Sequence, residues 1–162
     1  TLPADETVRP TRERVRAAVF NMLESRIHFD THHVLDLCCG SGAWGLEAYS
    51  RGAYSVTMVD KDIRSVTANV AALGLQDNVT VVQADVLHYS PAKLATLVLA
   101  DPPYDSDLLS NMLERGAMVA EQGSIWAIEY GTGKAPTLPC VFEEMAQKSY
   151  GSSEILLLRY EG

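Results

Sequence analysis

The alternation of short apolar runs with helical patterns constrains the fold of this chain more than any other feature of its sequence. Five runs are predicted to be strands, over 33–38, 55–60, 79–84, 96–101 and 124–129. Helices are predicted over 43–51, 62–73 and 106–120. This alternation is typical of an α/β fold, in which a parallel sheet is covered by helices on both faces.

Both ends of the chain depart from this alternation. Thr11 is a plausible N-cap for a helix that runs to about Leu23, because apolar residues recur there at helical spacing. The Pro- and Gly-rich stretch 131–139 makes a long helix after the fifth strand improbable. From Val141 onward, two β-rich runs flank a turn at Gly151, so we expect a terminal antiparallel hairpin.

Length and charge limit the possible classes of protein. The chain has 162 residues, of which 47% are hydrophobic, enough for one compact core. We expect a single domain over 1–162, with an arm and helix over 1–24 and an α/β core over 30–162. Its apolar runs are far shorter than the roughly 18 residues that cross a bilayer, so we expect a soluble, cytoplasmic monomer. The net charge of -8 argues against a protein that coats nucleic acid by electrostatics alone.

Four acids lie at or near the ends of predicted strands. They are Asp36, Asp60, Asp85 and Asp101. Any one of them could simply be a solvated residue that begins a loop. Because the carboxyl ends of parallel strands share one edge of a sheet, however, the four together predict a single cleft lined by carboxylates. Asp36 lies inside the apolar run "VLDLCC", where a lone carboxylate is costly to bury without a partner.

The stretch "GSGAWG", residues 40–45, follows the first strand and precedes a helix. It fits the G-x-G-x-x-G pattern of dinucleotide sites, and Asp60 follows Gly40 by 20 residues, as in such sites. A tight turn alone could also explain the glycines. A dinucleotide brings an anionic pyrophosphate to the helix N-terminus, where Asp36 would repel it. S-adenosylmethionine brings an ammonium and a sulfonium instead, so the charge favours this cofactor.

Each residue around the turn has a predicted role towards S-adenosylmethionine. Asp36 gains a cationic partner, Asp60 accepts hydrogen bonds from the ribose hydroxyls, and Asp85 accepts one from the adenine amine. Gly40, Ser41 and Gly42 are predicted to bring the backbone close to the cofactor. Arg9 and Thr11 could close over it.

The fourth strand ends in "DPPY", residues 101–104, which is suited to holding an amino group on a flat ring. Asp101 and the carbonyl of Pro102 can accept its two N–H bonds, which leaves the nitrogen lone pair aimed at a methyl donor. Proline extends the preceding residue, and Pro103 lacks an N–H that would compete. Tyr104 can stack on the base, a contact worth about 1–3 kcal/mol. The alternative is that the prolines merely end the strand.

The segments "LDLCCGSGAWGLEA", "VDKD", "QADV" and "DPPY" together resemble the class I S-adenosylmethionine-dependent methyltransferases that modify amino groups of bases. The lead-in "RPTRERVRAAVFNML" and the stretch "GLEAYSRGA" resemble the RsmD-type family, bacterial methyltransferases of guanine N2 in small-subunit (16S) ribosomal RNA. The resemblance extends from about Arg9 to Tyr160. The chain begins at Thr1 rather than methionine, and the basic segment that this family carries before Arg-Pro-Thr is missing.

This resemblance implies a Rossmann-like fold whose seven-stranded sheet is mostly parallel, with the last strand antiparallel. It places Asp36, Gly40 and Gly42 near the methionine end of the cofactor. It also implies Asp60 at the ribose, Asp85 at the adenine, and residues 101–104 at the target base. The implied partner is ribosomal RNA or the small-subunit particle, and no membrane is implied.

A basic arm precedes the core. It carries Arg9, Arg12, Arg14 and Arg16 against Glu13. Arg12 and Arg16 are one helical turn apart and could follow an RNA backbone through its phosphates. The alternative is a solvated helix face.

The sequence also contains other candidate residues and is compatible with other functions. The four histidines, at 28, 32, 33 and 88, lack the spacing of metal ligands, so we expect no metal. Glu129, at the end of the fifth strand, is a candidate to support the cleft, whereas Phe20 and Trp44 are expected in the core. Alternative targets are adenine N6, cytosine N4 or a protein glutamine. Alternative classes are an NAD-dependent oxidoreductase, a metal-dependent phosphotransfer domain and an RNA-binding module without catalysis.

Overall fold

The structure is a computed structural model that describes residues 4–104 and 106–162, with side chains from residue 12 onward except at 106. The strands are β1 (His33–Leu37), β2 (Ser55–Asp60), β3 (Thr80–Gln83), β4 (Ala95–Ala100), β5 (Ala120–Gly131), β6 (Phe142–Tyr150) and β7 (Ser153–Tyr160). The helices are α1 (Ala4–Glu24), α2 (Ala43–Ser50), α3 (Arg64–Ala72), α4 (Ser106–Glu114) and α5 (Gly116–Val119), with one short 3-10 turn at Phe29–Thr31.

All seven strands belong to one sheet, in the order β3-β2-β1-β4-β5-β7-β6. The first five strands are parallel to one another, and β7 is antiparallel to both of its neighbours, β5 and β6. The predicted seven-stranded, mostly parallel sheet with its last strand antiparallel is therefore confirmed. The chain reverses its direction of growth between β1 and β4, which is where open α/β sheets bind ligands.

Two apolar clusters cover the two faces of the sheet. One contains Val15, Phe20 and Leu23 of α1, together with residues of α2 and α3. The other contains Leu109 and Leu113 of α4, together with residues of α5. Adjacent residues of a strand point to opposite faces, so Val34 and Leu35 of β1 belong to different clusters. Burial on both faces explains why the central strands read as continuous apolar runs.

The predicted helix over 106–120 is in fact two helices separated by Arg115. The Arg115 guanidinium donates hydrogen bonds to the backbone carbonyls of Leu87 and Tyr89, and so ties this break to the loop before β4. A Cβ at Gly116 would lie 3.1 Å from the Tyr160 ring, so a close approach is needed there. The sequence around residues 115 and 116 predicts neither contact, so the break between the two helices could not be expected from it.

The N-terminal prediction is wrong in its starting point. Thr11 lies within α1 rather than at its cap, because the helix already begins at Ala4. Residues 4–10 form no apolar stripe, so hydrophobic periodicity does not indicate where this helix begins. Pro10 removes one backbone hydrogen bond, but the helix continues through it.

The C-terminal hairpin is confirmed. Strands β6 and β7 pair antiparallel from Phe142↔Tyr160 to Tyr150↔Ser153. The turn contains Gly151 at φ 57°, a left-handed conformation that favours glycine. Among the helices of the described residues, none combines the length and apolarity needed to cross a membrane.

Candidate active site

A cleft of about 1140 Å³ opens at the carboxyl edge of the parallel strands. The four strand-end acids, at positions 36, 60, 85 and 101, all line it. Gly40 and Ser41 of the glycine turn line the same cleft, as do Pro102, Pro103 and Tyr104. The structure therefore brings together residues that are far apart in the sequence.

Asp36 is the most buried of these acids, at 2% exposure, because it lies within the central strand β1. Its Oδ2 accepts a hydrogen bond of 2.9 Å from the backbone N–H of Gly45 in α2. Burial raises the pKa of Asp36 to about 7, a rise that the Gly45 hydrogen bond opposes and the charge of Asp60 increases. A cationic ligand beside this carboxyl would relieve the cost of its charge.

The glycines of the turn have different structural roles. Gly40 has φ 54°, and its backbone N–H donates a 2.9 Å hydrogen bond to Oδ2 of Asp60. A Cβ on Gly42, at φ 84°, would lie 2.6 Å from Cγ2 of Val66, and one on Gly45 would lie 2.6 Å from Cγ of Met58. Gly42 therefore packs the turn closely against α3, and its predicted role towards the cofactor stays a prediction.

Asp60 and Asp85 differ in how the protein holds them. Asp60 ends β2, and among the described residues its hydrogen-bond donors are two backbone N–H groups, those of Gly40 and Asp62. Asp85 follows β3 and accepts a 3.0 Å bond from the backbone N–H of Leu87. That bond, Lys61 and His88 lower the pKa of Asp85. Each carboxylate keeps lone pairs for further donors.

Asp101 immediately follows β4, and among the described acids Glu129 of β5 acts on it most strongly. It is exposed at the mouth of the cleft, yet the surrounding protein removes enough water to raise the pKa of its carboxyl. Desolvation is the largest cause, followed by the charge and hydrogen bond of Glu129 and the charge of Asp36, whereas Arg12 acts in the opposite direction.

Tyr104 is fixed on one side and open on the other. A Cβ on Gly131 would lie 3.0 Å from Cδ2 of Tyr104, so the ring lies directly on the backbone at the end of β5. The Tyr104 hydroxyl and Oγ of Ser153 form a hydrogen bond of 3.1 Å. Because the residue is nevertheless 54% exposed, much of the ring can receive another flat group. Pro102 is buried and Pro103 is exposed.

Helix α1 forms part of the cleft wall. Arg12 and Arg16 line the cleft, whereas Arg14 does not. Val15 between them is buried and anchors this helix to the core. The predicted residues Arg9 and Thr11 lie in α1 at positions outside the described side chains.

The charge of the cleft is uneven. Its described lining carries six carboxyl groups, and its cations are Lys61 and the two arginines of α1. Such a balance favours a positively charged ligand inside the cleft. Two of the three cations lie on its α1 side, which is therefore the side that attracts phosphates most strongly.

Sequence patterns missed several lining residues. They are Glu13, Cys38, Cys39, Lys61, Leu108, Ser152 and Ser153, among others. Burial raises the pKa of the Cys38 thiol to about 12 and raises that of Cys39 as well, so neither thiol is a ready nucleophile. Trp44 is 7% exposed and packs edge-on against Phe20, as expected for the core, but also lines the cleft. Within the described parts of the chain, no group of three or more His, Cys, Asp or Glu could hold a metal.

Comparison with known proteins agrees with the motifs. The family model described as Conserved hypothetical protein 95 matches residues 1–159. The chain belongs to this family. Ribosomal RNA small subunit methyltransferase D of Escherichia coli K12 is 31% identical over 168 residues, which cover 99% of this chain and 83% of that protein. The resemblance to the RsmD-type family is thereby confirmed.

Solved structures agree on the fold. The Escherichia coli protein yhhF, named as a methyltransferase, superposes with a TM-score of 0.82 at 27% identity, over 92% of this chain and 87% of its own. Magnesium protoporphyrin IX methyltransferase of Synechocystis PCC 6803, solved with bound SAM, has a TM-score of 0.78 at 14% identity, over 99% and 85% of the two chains. At that identity the second likeness concerns the Rossmann-like fold alone.

Proposed function

We propose that this protein is an S-adenosylmethionine-dependent methyltransferase that methylates the exocyclic N2 amine of a guanine in small-subunit (16S) ribosomal RNA. The observation that carries the proposal is the shared cleft, in which the glycine turn, the strand-end acids and the Asp-Pro-Pro-Tyr segment face one hollow. Membership of a family that contains a named ribosomal RNA small subunit methyltransferase supports the reaction and the substrate class.

The residues of the cleft fit the cofactor. Asp36 is a buried carboxyl without a cationic partner among the described residues, and an ammonium group would supply one. Gly40 has nothing within 4 Å of the position of a Cβ, so the backbone of the turn is open to a ligand. Asp60 and Asp85 follow at the ends of the next two strands, in the order expected for ribose and adenine. Lys61 Nζ lies 3.6 Å from Oδ2 of Asp85, so this carboxylate lies beside a cation at the predicted adenine end of the cleft.

The acids also argue against the dinucleotide alternative. Asp36 and Asp60 lie on either side of the turn where a pyrophosphate would bind, and their charges would repel it. The turn presents the Gly40 N–H to Asp60 rather than leaving it for a phosphate oxygen.

The target amine is held by the segment after β4. Bound S-adenosylmethionine supplies an electrophilic methyl group. Asp101 and the carbonyl of Pro102 accept the two N–H bonds of the amine, which directs its lone pair at that methyl group. Burial of Pro102 fixes the backbone that carries this carbonyl. Tyr104, supported by Gly131, stacks on the base.

The α1 side of the cleft suits the RNA backbone. Arg12 and Arg16 lie one turn apart on a helix anchored by Val15, and both line the cleft beside the acids. Phosphates flanking a base inserted beside Tyr104 would meet these guanidinium groups rather than the carboxyl groups. Two cations on this side allow an acidic protein to bind RNA locally.

Two experiments test the proposal. Calorimetric titration should show binding of S-adenosylmethionine and none of NAD. Methyl transfer to small-subunit RNA or particles, followed by mass spectrometry of the nucleosides, should yield N2-methylguanosine. An N6-methyladenosine product would instead establish a methyltransferase of a different base. Asp101→Ala should reduce transfer by about a hundredfold or more while cofactor binding persists, and retention of full activity would contradict the assigned role.

A further inference from the structure

Two acidic side chains lie next to each other where strands β4 and β5 end. The parallel register pairs Ala100 with Ile128, so the next residues along the two chains are Asp101 and Glu129. Both line the cleft. Glu129 is held in place on its other side, where β7 pairs it with Ile155, and it is only 7% exposed. The backbone therefore leaves this pair little freedom to separate.

Neighbouring carboxyl groups at such a position favour one shared proton. After desolvation, the charge of Glu129 and a hydrogen bond with it are the causes that raise the pKa of the Asp101 carboxyl, and two carboxyl groups can form such a bond only when one of them carries a proton. Two adjacent carboxylates cannot easily both be ionised, because their like charges repel each other.

The other groups around the pair are few. Asp36 of β1 adds negative charge and Arg12 of α1 adds positive charge to the surroundings of Asp101. Desolvation and nearby charges, that of Asp101 among them, raise the pKa of the Cys38 thiol, so this thiol stays neutral. Ser153 and Tyr104 form the neighbouring wall and bind each other. Among the described groups, Glu129 is therefore the proton acceptor best placed to exchange with Asp101.

We propose that Glu129 is the positioning residue for Asp101. When the target amine donates its N–H to Asp101, the shared proton moves to Glu129. The protonated Glu129 then donates a hydrogen bond that holds the Asp101 carboxylate in place. This inference rests on the proposed function. The active form of the pair carries one proton and one negative charge.

The same pair accounts for the proton that the reaction releases. The bond between the methyl carbon and the sulfonium sulfur breaks, the carbon–nitrogen bond forms, and the sulfur becomes a neutral thioether. The methylated nitrogen then carries an extra proton, which it gives to Asp101. The pair becomes neutral with two protons and returns one of them to solvent when the product leaves.

The first test measures kcat against pH for wild type, Glu129→Gln, Glu129→Ala and Glu121→Gln. Wild type is expected to lose activity at alkaline pH, when the shared proton is lost. Glutamine can donate to Asp101 but cannot ionise, so this loss should disappear in Glu129→Gln. Alanine should lower kcat by about tenfold or more, with KM for RNA little changed. Glu121, an exposed acid on the same strand, is the matched control and should behave like wild type. Equal profiles for Glu129→Gln and wild type would overturn the proposal.

The second test needs neither cofactor nor RNA. When the pKa of a carboxyl group is higher in the folded than in the unfolded protein, the free energy of unfolding falls as the pH rises from the unfolded to the folded pKa. Thermal unfolding between pH 5 and pH 9 should therefore show a smaller fall in Tm for Glu129→Gln than for wild type or Glu121→Gln. A purely structural role would shift Tm equally at every pH and would overturn the inference. Absence of any methyl transfer by wild type would instead overturn the proposed function, while the Tm comparison would still report on the pair.

Discussion

The two sides of the cleft are built in different ways. On the β1 side, the turn is fixed by backbone hydrogen bonds, since Gly45 and Gly40 donate to Asp36 and Asp60. On the β4 side, Tyr104 depends on contacts from distant parts of the chain, Gly131 and Ser153. The first side is therefore assembled from elements that follow one another in the chain, β1, α2 and β2, whereas the second is completed only when β5 and β7 join the sheet.

The largest expected effect concerns the β1 side. Asp36→Asn should weaken S-adenosylmethionine binding by roughly a hundredfold, because the buried charge that would face the ammonium group is lost. The pKa of Asp36 is raised to about 7, so the ionised form that a cation requires increases with pH through this range. Wild-type affinity should therefore rise from pH 6 to pH 8, and calorimetry should find no such rise in the variant. Equal pH dependence in both proteins would contradict this role.

The next effect tests whether the turn is held by packing. Gly42→Ala should lower the free energy of unfolding by about 2–3 kcal/mol, since the added Cβ would meet Val66 at 2.6 Å in a left-handed backbone. Gly52→Ala is the matched control, with φ 97° and nothing within 4 Å of the added Cβ. It should cost only the backbone strain, about 1 kcal/mol. Chemical denaturation measures both, and equal losses would show that packing contributes nothing.

The β4 side should respond mainly in substrate binding. Tyr104→Ala should raise KM for RNA by roughly tenfold, the equivalent of about 1.4 kcal/mol of lost stacking. Tyr104→Phe keeps the ring and loses only the hydrogen bond to Ser153, so its KM should change by less than about threefold. Cofactor affinity should be unaffected in both variants. A loss of cofactor affinity would show that the two sides are not independent.

The smallest expected effect is on RNA binding, and it should distinguish two arginines of α1, Arg12 and Arg14. Arg12→Gln should weaken RNA binding only a few fold and lower the slope of log affinity against log salt by about one. Arg14 lies outside the cleft on the same helix, so Arg14→Gln should leave that slope unchanged. Filter binding over a range of salt concentrations compares them. The same slope for both variants would indicate a nonspecific charge effect.

The fold could be predicted largely because its signals are local. Apolar runs, the glycine turn and Gly151 each mark an element within a few residues of the chain, and the strands β1, β2 and β4 lie within one residue of their predicted positions. The start of α1 and the break at Arg115 could not be found this way. A polar helix end carries no apolar pattern, and the break depends on contacts with Leu87, Tyr89 and Tyr160.

The same distinction between local sequence signals and contacts of distant residues applies to the candidate site. The strand-end acids and the Asp-Pro-Pro-Tyr segment could be found from the sequence, because a parallel sheet brings the carboxyl ends of its strands to one edge. The folded structure was needed to show that Glu129 stands beside Asp101, that Gly131 supports Tyr104, and that Gly42 packs on Val66. These contacts depend on strand register and on side-chain volume between elements distant in sequence, and no periodicity along the chain encodes either.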